Sequence, residues 1–371
     1  MKRRRVILIV VLWALVLAGI IWALLQPPGP AYRGRPLTYW LEHYLPPPTN
    51  SSGGILRPNP AAVEAIRQIG TNAIPTLLRM AEAHDSPLKL KLVALARKQH
   101  LIRIRFISAG EQNRQATLGF RGLGAAASNA VPALIKIFDA KSSPWSQEEA
   151  ANALAGIGPA ARRAVPSLCS ALAAANSNVR IACVLALGRI HAEPGQAVPV
   201  LIKSLNDPHP GVRQLAAEAL CQFGADSQPA VPALIEIYDQ NTAESSHAAT
   251  ALGLIGPAAR AAVPSLLRGL ADTNLDVEFR QQCIMALGRI HAEPELVVPA
   301  LMKSLSETIN DTDVRIRAFS AIALGQFGPD AKPAVPLLTS LLQDPNRNVR
   351  SDATNALRLI DSAAAAGSGI K

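Results

Sequence analysis

The chain has 371 residues, 49% of them hydrophobic and only 4% aromatic, with alanine and leucine recurring throughout. That is ample for a core and argues against a sheet-built fold, because strands favour β-branched and aromatic residues while tightly packed helices take small and unbranched ones. The net charge of +10 is concentrated: residues 1–5 carry +4, residues 86–121 carry +7, and residues 122–371 carry −2, so the greater part of the chain lacks the basic surface that nucleic acid requires.

The N-terminus reads MKRRR, followed by twenty uncharged residues, 6–25, and then Gln26-Pro27-Pro28. Twenty helical residues rise about 30 Å, enough to cross a hydrocarbon core. The cations before the run predict a cytoplasmic basic tail (1–5), a retained transmembrane anchor (6–25), and a remainder on the far, periplasmic or equivalent, side. A cleaved signal peptide is the alternative, with Gly29 and Ala31 as a poor cleavage site.

Residues 26–59 are linkers around a short amphipathic helix at 36–45, where Leu37, Trp40, Leu41, Tyr44 and Leu45 share one face. Such a helix is expected to cover the open end of the first repeat, or else to bind a partner. Residues 60–121 read as divergent repeats with an early proline pair at Ile74-Pro75. They include a basic helix at 88–106 carrying Lys89, Lys91, Arg97, Lys98, Arg103 and Arg105, with Leu90, Val93, Ala94 and Leu101 between them. The plain expectation is an apolar face on the fold with solvated cations. A lipid surface or an acidic partner is the alternative, and nucleic acid comes third.

From residue 122 to 361 the chain is periodic. Val-Pro pairs fall at Val131-Pro132, Val165-Pro166, Val198-Pro199, Val231-Pro232, Val263-Pro264, Val298-Pro299 and Val335-Pro336. Spacing of this order marks an array of two-helix repeats. Proline opens the first helix of each pair, and the second helix ends at Gly124, Gly158, Gly224, Gly256 or Gly328, glycines expected to take a left-handed cap. Each cap stands eight residues before the next proline, and so do His191 and His291 of the duplicated stretch ALGRIHAEP. Those histidines therefore read as helix caps, since histidine tolerates positive φ better than most residues, and their separation by three repeats excludes a shared site. The opposite edge varies in length and carries Trp145, a candidate recognition residue. Cys169, Cys183, Cys221 and Cys283 read as buried free thiols, and residues 362–371 as a flexible tail.

The stretch DPHPGVRQLAAEALCQFG followed by PAVPALI resembles the HEAT-like repeat of the phycocyanobilin-lyase type. With the anchor and the segment YRGRPLTYWLEHY, the chain looks like membrane-tethered HEAT-like proteins of bacterial origin. The resemblance implies an α-solenoid, a superhelix of antiparallel helix pairs, used for protein contacts. Arg180, Arg213, Arg315 and Arg350 are expected to pair with turn aspartates Asp207, Asp313 and Asp344 in a structural ladder. YDQNTAESSHAATALGLIG lacks the Val-Arg pair, and Val277-Glu278-Phe279-Arg280 splits it.

No catalytic residue, cofactor or metal is expected: there is no His-Glu-x-x-His, Gly-x-Ser-x-Gly or Walker loop. Gly122-x-Gly124-x-x-Ala127 follows a helical pattern, not the strand that a dinucleotide cradle needs. The expected function is a membrane-tethered scaffold or adaptor that binds a protein or peptide without catalysis. Bilin-lyase-like chemistry is an alternative carried by fold analogy alone.

Overall fold

The computed structural model describes residues 29–45, 57–98, 107–240, 244–308 and 314–361. The expected basic tail, membrane span and C-terminal tail lie outside the described residues. The chain divides into two compact units, residues 1–133 and 134–371.

The described residues of the first unit open with a hairpin that the sequence did not announce. β1 (Ala31–Tyr32) pairs antiparallel with β2 (Arg35–Pro36), and the turn residues Arg33 and Gly34 sit at φ 48° and 72°, the backbone that a two-residue turn requires. α1 (Leu37–Glu42) follows and buries Leu37 and Leu41. It packs on α2 (Pro60–Ile69) and α5 (Ala109–Leu123). α1 is shorter than the expected 36–45, because Pro36 is extended and the chain leaves helical geometry at His43. α3 (Ile74–Ala81) opens on Ile74-Pro75 and packs on α5, and α4 (Pro87–Lys98) is the described part of the basic helix.

From α6 (Val131–Asp139), within which the unit boundary falls, first and second helices alternate. The first helices are α8 (Val165–Ala171), α10 (Pro194–Ser204), α12 (Val231–Asp239), α14 (Val263–Ala271), α16 (Pro294–Thr308) and α18 (Val335–Ser340). The second helices are α7 (Pro144–Ile157), α9 (Ser177–Ile190), α11 (Pro210–Phe223), α13 (Ser245–Ile255), α15 (Val277–Ile290), α17 (Val314–Gln326) and α19 (Arg347–Ile360). Each second helix packs on the next in the series. Ser245–Ala271 is apolar and long enough for a membrane span, but it is a bent pair, α13 and α14, broken by Gly256 at φ 75°.

The motif Ala-Leu-Gly has a packing cause. Its leucines, Leu187, Leu252, Leu287 and Leu324, are fully buried. Its glycines touch the alanine of the next second helix: a Cβ on Gly188 would lie 3.0 Å from Ala219 Cα, one on Gly253 2.8 Å from Ala286 Cα, and one on Gly325 2.9 Å from Ala356 Cα. At these junctions backbone therefore meets backbone between successive second helices, an approach that glycine facing alanine allows.

The caps divide into two geometries. Gly124, Gly158, Gly224 and Gly256 have φ from 51° to 75° with ψ from −126° to −144°. This is the mirror image of extended backbone, not the expected left-handed helix, and it is accessible essentially to glycine alone. A seven-residue 3-10 turn follows each of them. His191 and His291 are instead left-handed, at φ 46°, ψ 51° and φ 50°, ψ 46°. After them α10 and α16 begin at Pro194 and Pro294, five residues before the expected prolines, and Pro199 and Pro299 lie inside the helices.

Candidate interaction surface

With Asp361 at the end of α19 counted as its cap, the residue eleven positions before each cap is polar and shielded in repeat after repeat, and its contacts define how the repeats are fastened. Asn113 donates to the carbonyls of Met80 (2.8 Å) and Ala81 (2.9 Å). Arg180 donates to Ala174 and Ala175, Arg213 to Asp207 and Pro208, Ser245 to Ile237, Arg280 to Leu270, and Arg350 to Asp344 and Pro345. These carbonyls lie at or just beyond the ends of the preceding helices, where helical geometry leaves them without partners.

Three of the arginines also reach a carboxylate of the following repeat. Arg180 pairs with Asp207 at 2.7 Å, Arg213 pairs with Glu244, and Arg317 pairs with Asp344 at 2.7 Å. Arg317 and Asp344 are almost wholly enclosed, with side chains 3% and 2% exposed. The register thus assigns the ladder position to Arg317, whereas Arg315 is exposed and Asp313 lies outside the described residues. Arg280 stands in the same register, so Val277-Glu278-Phe279-Arg280 keeps the arginine and replaces only the preceding valine by Phe279. The signal was present in the sequence as a constant distance to the cap, which the Val-Arg dipeptide obscured. The Arg180 guanidinium holds Asp207 below the usual carboxylate range.

The duplicated His-Ala-Glu-Pro segment is a second fastener. His191 meets Phe223 of the next repeat edge-on, with ring centroids 5.0 Å apart, and His291 meets Phe327 at the same distance. Glu193 and Glu293, also at positive φ, face backward to Arg162 (3.2 Å) and Arg260 (2.9 Å) of the repeat before. Each copy is thus tied to both neighbours, and the two histidines serve separate junctions. Among the described residues no group of three or more His, Cys, Asp or Glu side chains is placed to hold a metal ion.

The residues expected to contact a partner are dispersed. Lys89 pairs with Asp85 at 2.8 Å, which reduces the charge α4 can offer an anionic surface. Lys91 is exposed, Arg97 and Lys98 belong to the last turn of α4, and Arg103 and Arg105 lie outside the described residues. Trp145 stands at the start of α7 and is 46% exposed. Burial pushes the thiols of Cys183 and Cys283 up to about 12 and about 11, and those of Cys169 and Cys221 to about 11. All four are free.

Sequence reasoning missed the outward stripe of the second helices. In the second unit, residues two and six positions before the caps face away from the core, and toward the C-terminal end each second helix places one apolar residue there beside one polar one. Leu254 is 43% exposed, Ile322 38% and Leu359 62%, and Met285 is partly exposed. Leu359 abuts Gly325 of the helix before, where a Cβ would lie 3.5 Å from its Cδ1. Arg289 and Gln326 stand exposed in the same stripe. At the other end of this face lies a cavity of about 570 Å³ whose lining includes Val184, Leu185 and Leu215 together with Arg189 and Glu218.

The model of the HEAT repeats matches residues 131–221, 165–245 and 302–367. The chain is a HEAT-like repeat protein. Residues 246–301 of this HEAT-like chain, between the matched segments, carry the same helix pairs, α13 to α16. No curated protein matches the sequence. An engineered protein of known crystal structure is 24% identical over 63% of this chain and 97% of its own, with a TM-score of 0.35. A chain in a homology model of the full-length AP-3 complex, in an intermediate open conformation, is 18% identical over 79% of this chain and 55% of its own, at 0.49. A chain in a structure of Kap95p bound to RanGDP is 14% identical over 82% and 46%, at 0.46. This chain spans about half the length of the last two.

Proposed function

We propose that the chain is a non-catalytic scaffold that binds an extended protein or peptide along the outward face of the second helices in its second unit. Residues 6–25 would hold it to a membrane, with residues 1–5 in the cytoplasm and the repeats on the far side. The observation that carries the binding reading is the row of Leu254, Met285, Ile322 and Leu359 on successive second helices. Single exposed apolar residues are ordinary, but a row of them on one stripe is the mark of an interaction site. Covering what remains exposed of one such side chain contributes about half of the roughly 1.5–3 kcal/mol of full burial. Arg289 and Gln326 beside them supply hydrogen bonds of the kind found at an interface rim. Repeat arrays suit this use because each repeat adds contact area without rearranging its neighbours.

The test is photocrosslinking in the cells that produce the chain, with benzoylphenylalanine placed singly at Leu254, Ile322 and Leu359 and, as a reference, at Lys303 on a first helix. One shared adduct at the three second-helix positions and none at Lys303 is the expected pattern. Equal adducts at all four positions, or none at any, would sink the reading. For the membrane arrangement, a phosphatase fused after Lys371 should be active only on the far side.

A further inference from the structure

We propose that the hairpin and α1 of the first unit form a membrane-interface anchor that contacts phospholipid headgroups; this rests on the reading that residues 6–25 cross the bilayer. α1 has two faces. Leu37 and Leu41 point into the unit at 1% exposure each, while Tyr39 and His43 stand on the other side and the half-buried Trp40 lies at the edge between the two faces, beside Tyr32, Arg33 and Arg35 of the hairpin.

The outer face is an organised cluster. The rings of Tyr39 and Trp40 meet edge-on at 5.3 Å, and those of Tyr32 and Trp40 lie 6.2 Å apart. Trp40 Nε1 donates to the Tyr32 carbonyl at 3.3 Å. The Arg35 guanidinium lies 4.2 Å from the Tyr39 ring centre and that of Arg33 lies 5.3 Å from the Tyr32 ring. Rings with one polar atom, bearing cations, match a bilayer's interfacial layer, where an apolar body and a wet tip are both satisfied and phosphate accepts from guanidinium.

Composition and reach select lipid as the occupant. The chain has four Trp and four Tyr, and of these eight, Tyr32, Tyr39 and Trp40 of this cluster fall within nine residues, with Trp13 and Trp22 in the apolar run just before. Pro30 is pinned to the start of α1 by the hydrogen bond from Leu37 N to its carbonyl, 2.8 Å long. Five residues lead from Leu25 to Pro30, at most about 18 Å of chain. A cluster held that close to the end of a membrane span meets headgroups before it meets any soluble partner. Residues 29–45 carry Arg33 and Arg35 against Glu42, so ring insertion dominates over net charge, and anionic lipid should strengthen the contact only modestly.

The experiment uses the full chain with Trp40 as its single tryptophan (Trp13→Phe, Trp22→Phe, Trp145→Phe), reconstituted into vesicles of phosphatidylcholine and phosphatidylglycerol with and without headgroup spin-labelled lipid. A second chain keeps only Trp145. Flotation is read first, then quenching. The expected result is co-flotation, with Trp40 quenched at least about twofold more strongly than Trp145, as an interfacial ring should be, and with this quenching reduced by Arg33→Glu with Arg35→Glu. Co-flotation with Trp40 quenched no more than Trp145 overturns the anchor and leaves the span intact. Failure to float overturns the span and the anchor together.

Discussion

Replacing Gly253 with alanine tests the close approach on which the array is built. The new Cβ would stand 2.8 Å from Ala286 Cα and 3.2 Å from Ala286 Cβ. Carbon contacts settle at about 3.5–4.0 Å, so α13 and α15 must separate by up to about 1 Å. Neither contacted atom can move by a rotamer change, since one is backbone and the other the first side-chain atom. Overpacking of this kind costs about 1–3 kcal/mol, while glycine to alanine inside a helix gains up to about 1 kcal/mol of propensity. Gly195 in α10 provides the reference, because a Cβ there meets nothing within 4 Å. Gly195→Ala should stabilise slightly, and Gly253→Ala should fall below it by about 1–3 kcal/mol, the clash alone. The assay is urea unfolding of the full chain in detergent, followed by far-UV circular dichroism. Midpoints are the quantity to compare, because repeat arrays depart from two-state behaviour. Equal midpoints for the two variants would refute the account of the Ala-Leu-Gly motif.

Arg317→Met leaves Asp344 charged and enclosed, with a side chain 2% exposed, and should cost about 3–5 kcal/mol in the same assay. Arg315→Ala, at an exposed position, should cost about 1 kcal/mol or less; the reverse order would overturn the register. Gly224→Ala meets no neighbour within 4 Å, so its expected loss of about 1–3 kcal/mol comes from backbone strain alone, and an unchanged midpoint would show that the cap relaxes. Asp207 has a depressed folded pKa, caused by Arg180, so its contribution is complete above its unfolded value of about 3.9 and disappears as pH falls through the lower folded value. Asp207→Asn should therefore be less stable at neutral pH and should lose less on acidification below about pH 4; parallel acid profiles for the two proteins would contradict this. The four thiols, raised to between about 11 and about 12, should resist an aromatic disulfide reagent at pH 8 until denaturant is added, and prompt reaction of Cys183 or Cys283 in the native chain would refute their burial.

The helical repeat was legible in the sequence because its causes are local. Periodic alanine and leucine specify a buried helix face, Val-Pro specifies a helix start, and a glycine or histidine after Ile or Phe specifies the stop. Distance from the cap even carried the identity of the ladder residue, though Arg315 beside Val314 resembled the motif more closely than Arg317 did. What the sequence did not distinguish were two cap geometries, since glycine permits both signs of ψ at positive φ and only the following turn selects one.

By itself, then, the sequence determined which segments of the repeat array are helices, where its second helices stop, and that neighbouring repeats present the same faces, because propensity and periodicity act within a few residues. Only the tertiary structure decided which polar side chain closes which carbonyl, why the glycine of Ala-Leu-Gly is needed, and which apolar residues remain outside. Leu252 and Leu254 are two residues apart in one helix, yet one is fully buried and the other 43% exposed. Helix geometry turns the two side chains to opposite sides; that no neighbouring element of the array, among the described residues, covers Leu254 is the part that only the tertiary structure decided.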